Sequence, residues 1–193
     1  MASHDRLAQV MGQIKILASA LFKISNDIKI LSSGPRSGIY ELIIPQNEPG
    51  SSIMPGKVNP TQCEALSMVC TQVMGFEYAV SIANASGTLQ MNEYKPLIGF
   101  NILTSIKLLN HAISNFRLKL VEGIQPNPKT IKANLENSLM LVTALVPKIG
   151  YEKAAEIANL AFNESINLKE ATIKLGYLTA NDFEDAINTN KMI

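Results

Sequence analysis

Residues 102–120 read ILTSIKLLNHAISNFRLKL. Within this stretch Ile102, Ile106, Leu109, Ile113, Phe116 and Leu120 are spaced 4, 3, 4, 3 and 4 residues apart. That is a heptad seam carried over nearly three repeats, the pattern of a helix that lays one stripe against other helices. A surface helix on a small globule rarely needs such a seam, whereas a long bundle or an oligomer core does. The expected fold is therefore all-α, with long helices belonging to a central bundle.

Upstream, this helix begins near Lys95-Pro96. Asn84–Glu93 separates it from an earlier helix over about Pro60–Ala85, in which Leu66, Val69, Cys70, Val73 and Phe76 share a face. Near the N-terminus, Leu7, Val10, Met11, Ile14, Leu17, Leu21, Ile24, Ile28 and Leu31 fall at helical spacing and form one wide apolar face. Ser3 and Asp5 supply a start for that helix, and Ser32-Ser33-Gly34-Pro35 a stop. Residues 34–59 carry four glycines and four prolines. A segment so rich in both is a long loop, and loops of that length inside compact domains are usually functional.

Downstream, Gly123-Ile-Gln-Pro126-Asn-Pro128 is the clearest boundary. It divides residues 1–123, a bundle portion, from residues 124–193, a small helical C-terminal domain. Shorter helices are expected there at Ile131–Thr143, at Tyr151–Asn163 after Pro147–Gly150, at Leu168–Leu175 and at Thr179–Asn190. Thr179 and Asp182 have the spacing of an N-cap followed by an acid. No strand alternation survives over five residues.

Bulk composition narrows the function. Of 193 residues, 47% are apolar and 17% charged, and the net charge is +1. Such a chain buries a real core. With no long block of like charge, neither nucleic acid nor an anionic membrane surface is an expected partner. The longest clean apolar run, Leu139–Val146 interrupted by Thr143, is far too short to span a bilayer, and Met1-Ala2-Ser3-His4-Asp5 lacks the pattern of a signal peptide. The expectation is a soluble, cytoplasmic protein with no membrane partner. Cys63 and Cys70, if on one helix, lie about 10 Å apart, too far for a disulfide, and read as small apolar residues.

The chemistry concentrates in Gly-Ser-Ser-Ile-Met-Pro-Gly-Lys-Val-Asn-Pro, residues 50–60. Part of it has a plain structural reading: Asn59 can cap the next helix, Pro60 suits its first position and Gln62 completes a capping-box-like pair. That reading leaves Ser51, Ser52 and Lys57 without a purpose. A P-loop fails on spacing, because five residues separate Gly50 from Gly56, and Val58 follows the lysine. A nucleophile elbow needs a preceding strand and a histidine base. The two histidines, His4 beside the terminus and His111 between seam residues, both read as plain surface residues. No His, Cys or acidic cluster has metal-ligand spacing. A carboxylate-handling loop fits better. Lys57 offers a charge, Asn59 an amide, and the following helix its free N–H groups and positive dipole end. Ser51 and Ser52 place hydroxyls on a segment able to close over a ligand. Donors aimed at a carboxylate whose negative charge grows as a neighbouring proton leaves stabilise the transition state more than the ground state.

This loop resembles the signature loop of the fumarase/aspartase superfamily, whose members cleave C–N or C–O bonds and release fumarate. Gly56 and the continuation Thr61-Gln62-Cys63-Glu64-Ala65 are closer to class II fumarase than to aspartase. The resemblance extends to Asn92-Glu93-Tyr94-Lys95-Pro96, Ser138–Leu145, Gly150–Ala158 and Leu175-Gly176-Tyr177-Leu178, and so covers nearly the whole chain. It implies reversible hydration of fumarate to L-malate, a step of the tricarboxylic acid cycle, without metal or organic cofactor. Ser51 would be the catalytic base toward malate, a role that requires donors to stabilise its alkoxide. Ser52, Lys57 and Asn59 would hold substrate carboxylate, Val58 would contribute backbone, and Glu64 would support a catalytic histidine from another segment. The family is homotetrameric and draws each site from three subunits. Its chains are more than twice as long, and the family's Ser-Ser-Asn and Thr-His segments are not in this sequence. The expected partners are thus a small dicarboxylate (fumarate or malate) and either further copies of the chain or a chain supplying the N-terminal part, without which activity is not expected. The alternatives are a catalytically dead assembly fragment and an aspartase-like ammonia-lyase.

Overall fold

A computed structural model describes residues 2–187, which form two compact units divided between Asn127 and Pro128. The first unit is built on three long helices: α1 (Asp5–Leu31), α2 (Thr61–Ala85) and α3 (Lys95–Lys119). α2 packs against both α1 and α3. The backbone N–H of His4 donates to Asn84 Oδ1 (2.7 Å), which sets the start of α1 beside the end of α2 and makes the two antiparallel.

The buried face of α1 is Met11, Ala18 and Ser25, one residue every seventh. It meets Cys63, Leu66, Cys70, Val73, Val80 and Ala83 of α2, with Ile98, Ile102, Leu109 and Phe116 of α3 completing the core. Small residues at the α1–α2 crossing let the two backbones approach. Ser25 Oγ donates to the Cys63 carbonyl (2.6 Å) and shares a hydrogen bond with Ser67 Oγ (2.9 Å), so its burial leaves no polar atom unpaired.

The seam that suggested this fold is not fully used among the described residues. Ile102, Leu109 and Phe116 are buried, and Leu120 is buried just past the helix end, but Ile106 is 50% exposed. Phe100 and Leu103 on the same helix are more exposed still. On α1, the residues at heptad spacing, Val10, Leu17 and Ile24, are all close to half exposed. A helix apolar on more than one side needs more than one neighbour, and this unit supplies only some of them. By length and composition α1 and α2 also suffice to cross a bilayer, which the search for unbroken apolar runs missed. In the present fold their mutual packing covers one side of each helix.

Residues 32–60, the long connection between α1 and α2, are tied down at their root. The N–H of Glu41 donates to the Leu31 carbonyl (2.9 Å), and that of Asn127 to the Glu41 carbonyl (2.9 Å). A strand of two residues, β1 (Leu42–Ile43), then pairs antiparallel with β2 (Gln125–Pro126). Strands this short carry no readable periodicity, which is why none was expected.

The second unit contains α4 (Pro128–Glu136), a 3₁₀ segment (Leu139–Leu145), α5 (Val146–Ile149), α6 (Tyr151–Glu164), α7 (Leu168–Lys174) and α8 (Ala180–Ala186). Its core is Leu145, Ile157, Ala161, Leu168, Ala171 and Phe183. The helix expected over Ile131–Thr143 is instead two pieces. Ser138 turns extended (ψ 120), and the apolar run after it winds with 3₁₀ geometry onto this core. α7 opens with a complete capping box between Asn167 and Glu170. Thr179 Oγ1 accepts the Asp182 N–H (3.2 Å) at the start of α8. The helix expected to reach Asn190 is seen to Ala186, and positions 188–190 lie outside the described residues.

Candidate active site

The loop around Ser51 closes on itself before α2 begins. At its neck the Gly50 backbone lies so close to Lys57 that a Cβ on Gly50 would stand 1.8 Å from the Lys57 carbonyl oxygen. Only glycine fits there. Asn59 Nδ2 donates to the Gly50 carbonyl and pins the neck from the other side. Below it, Thr61 Oγ1 donates to Glu48 Oε1 (2.6 Å), fastening the segment that leads in to the helix that leads out. Within the loop the Lys57 N–H donates to the Met54 carbonyl (3.3 Å), and Gly56 supplies the positive φ (76°) of that turn.

Ser51 sits just inside the neck. Its Oγ accepts two backbone hydrogen bonds, from the N–H groups of Ile53 and Met54, each 3.1 Å. Two N–H donors converging on one hydroxyl oxygen lower the cost of placing negative charge on it. Ser52, Lys57 and Val58 are exposed and Asn59 is half-buried. Glu64 is exposed in the first turn of α2.

The expected role of Asn59 as helix cap is corrected. α2 starts at Thr61, its cap position is Pro60, and no side chain caps it. Asn59 reaches back to Gly50 instead, because closing the loop neck satisfies a carbonyl that the glycine leaves bare. Pro60 is therefore the cap position rather than the first helical residue, and Gln62 forms no capping box. The helix start keeps its uncapped N–H groups, directed toward the end of the loop.

A cavity of about 600 Å³ opens beside this neck. It brings together Lys57, Val58 and Asn59 of the expected residues, whereas Ser51, Ser52 and Glu64 are not in its lining. It adds Lys29, Ser33 and Tyr40, which the reading of the loop alone did not reach. The available signal was a lysine in the last turn of a helix running directly into Ser32-Ser33-Gly34-Pro35. Ser33 is already committed, donating to the Ile30 carbonyl (2.5 Å) and accepting the Ile39 N–H (3.2 Å). Burial pushes the Cys63 thiol up to about 11, against the opposing pull of the Ser25 hydroxyl and of the Lys29 charge.

Neither histidine is at the loop. His111 is exposed on α3. His4 departs from the expected surface residue: its Nε2 is buried and has no partner among the described residues, while its backbone holds Asn84. Among the described residues no group of three or more His, Cys, Asp or Glu is placed to hold a metal.

Two family models match the chain, one described as lyase over residues 1–75 and one as fumarase C C-terminus over residues 141–193. The class II fumarate hydratase of Prochlorococcus marinus subsp. pastoris is 99% identical over all 193 residues, which make up 42% of that relative. The class II fumarate hydratase of Prochlorococcus marinus strain MIT 9313 is 60% identical over 97% of this chain and 40% of its own length. Among solved structures, the recombinant class II fumarase of Schistosoma mansoni superposes with a TM-score of 0.93 at 44% identity, over 97% of this chain and 39% of that one. The chain spans about two fifths of the length of the relatives it matches. Loop, helices and C-terminal unit agree in one assignment: the chain belongs to the class II fumarase family of the fumarase/aspartase superfamily and corresponds to the C-terminal part of its members.

Proposed function

We propose that this chain supplies one wall of a fumarate hydratase active site, working in the reversible hydration of fumarate to L-malate within the tricarboxylic acid cycle. The observation that carries this reading is the match over the full 193 residues, at 99% identity, to a class II fumarate hydratase. The loop geometry supports it. Ser51 is the base that takes the C3 proton of malate, and the Ile53 and Met54 N–H groups hold the oxygen on which charge must be stabilised. Ser52, Lys57 and Asn59 receive substrate carboxylate, together with the Val58 backbone and the uncapped start of α2. Glu64 positions a histidine contributed by the part of the relatives' length that lies outside this chain. We assign residues 1–123 to the bundle portion and 124–193 to the C-terminal domain.

The assembly reading has its own support. The exposed apolar faces of α1 and α3 are the surfaces that a homotetramer in the cytoplasm would bury. A catalytically dead assembly fragment would keep the same faces, so turnover separates the two readings. The chain is mixed with the remaining part of the Prochlorococcus relative, and fumarate is followed by its ultraviolet absorbance. Turnover is expected. No turnover from halves that are folded and associated would overturn the enzymatic reading, and ammonia release from aspartate without action on malate would replace it with an ammonia-lyase.

A further inference from the structure

The lining of the cavity beside the loop neck includes two lysines, Lys29 from the last turn of α1 and Lys57 from the loop, and no aspartate or glutamate. Among the described residues neither lysine takes part in an ion pair. A lysine at the C-terminal end of a helix is favoured by the helix dipole alone. That accounts for Lys29 but not for a second lysine at the same cavity, nor for the lack of any acid to offset the pair. Two like charges sharing a cavity repel, and an anion between them turns the repulsion into attraction.

Tyr40 lines the same cavity, and its hydroxyl has no hydrogen-bond partner among the described residues. Its backbone is held at φ 49, in the left-handed region that bulky residues avoid. Asn127 Nδ2, donating to the Tyr40 carbonyl (3.1 Å), helps fix it there. Backbone strain held in place by neighbouring structure concentrates at ligand-holding sites. One cation suffices for a single carboxylate. Two cations with no internal counter-charge fit a ligand that carries two.

We infer that Lys29 is a specificity-determining residue of this site, forming with Lys57 a two-cation clamp that selects a four-carbon dianion over a monoanion of the same length. The inference rests on the reading of the loop as a dicarboxylate-handling element and adds to it a residue on a different secondary-structure element.

The test is a nuclear magnetic resonance titration of the full 193-residue chain at low salt with succinate and, separately, butyrate. Succinate should bind about tenfold more tightly, the worth of one charge-assisted contact, with shifts at residues 32–34 and 55–60. Lys29→Met should bring the two acids within about twofold of each other, and Lys29→Arg should keep the preference. Lys29→Gln provides a second neutral variant, with far-ultraviolet circular dichroism verifying the helices of each. Equal affinity of the unaltered chain for the two acids, no succinate binding at all, or a preference that survives in the folded neutral variants would each overturn the clamp. None of these results bears on whether the two halves together turn over fumarate. Halves that are active, with a KM for fumarate unmoved by Lys29→Met, would overturn the clamp and leave the enzymatic reading intact.

Discussion

Gly50→Ala tests how the loop between Gly50 and Asn59 is closed. The added Cβ would lie 1.8 Å from the Lys57 carbonyl oxygen and 2.5 Å from its carbonyl carbon, where ordinary contact begins near 3.4 Å. Both atoms are backbone, so no rotamer change relieves the overlap, and the two chain segments must separate by roughly 1.5 Å. What resists separation is small: the Asn59 amide on the Gly50 carbonyl and the 3.3 Å bond from the Lys57 N–H to Met54. Losing these costs about 1–2 kcal/mol, less than holding a backbone overlap of that size. The neck should therefore open while the three helices stay packed. Gly56→Ala is the matched control. A Cβ there meets nothing within 4 Å, but its φ of 76° imposes about 1–2 kcal/mol of backbone strain. The two variants should lose similar stability in urea while differing at the neck. Amide exchange at Lys57 and the side-chain amide signals of Asn59 should move to solvent-exposed values in Gly50→Ala and hold in Gly56→Ala. A Gly50→Ala chain with unchanged stability and an intact Asn59 signal would refute the close approach of Gly50 to Lys57.

Three further outcomes are expected. The Cys63 thiol, with an ordinary value of 9.0, titrates in the folded chain at about 11. Its protonated form is thus favoured by the fold, and the stability this contributes is complete below pH 9 and is lost as pH rises through 11. The loss is roughly 2–3 kcal/mol at most, measured as the narrowing gap in urea stability between the unaltered chain and Cys63→Ala across that window. Asn167→Ala removes the capping box of α7 and should cost about 1 kcal/mol, seen as a lower thermal midpoint, with Asn167→Asp retaining most of the stability. Leu17→Glu with Ile24→Glu charges the outward stripe of α1, where both residues are nearly half exposed. The helical circular dichroism of the chain should be unchanged, while sedimentation shows loss of any oligomer.

The helices were legible because their periodicity is set by burial on one face, and Ile102, Leu109 and Phe116 show that face directly. The same pattern overstated what one chain buries: Ile106 shares the seam but remains half exposed, since a heptad records every neighbour a helix has, including those outside the chain. The break at Ser138 was hidden because an apolar run reads alike in 3₁₀ and α geometry until the core it serves is known. Asn59 was misassigned for a related reason. Local rules rank asparagine highly as a helix cap, but the bare Gly50 carbonyl, nine residues back, is a competing acceptor that only the closed loop brings within reach. Lys29 was locally legible only as a lysine closing α1 ahead of Ser32-Ser33-Gly34-Pro35. Nothing in its own neighbours indicates that it meets Lys57 at a cavity, because that meeting depends on how the connection between α1 and α2 folds back.

The neck formed by Gly50, Lys57 and Asn59 makes residues 51–56 a self-contained cassette. Its two ends are joined to each other and anchored through Thr61 and Glu48 to the scaffold, so displacements inside the cassette are absorbed before they reach α1 or α2. Chemistry and architecture are in this sense mechanically insulated. Substitutions at Ser51, Ser52 or Ile53 can change the hydroxyls and N–H donors the loop presents without being felt by the helical core. The bundle, in turn, can adjust its outer faces to new neighbours without disturbing the hydroxyl held by the Ile53 and Met54 N–H groups.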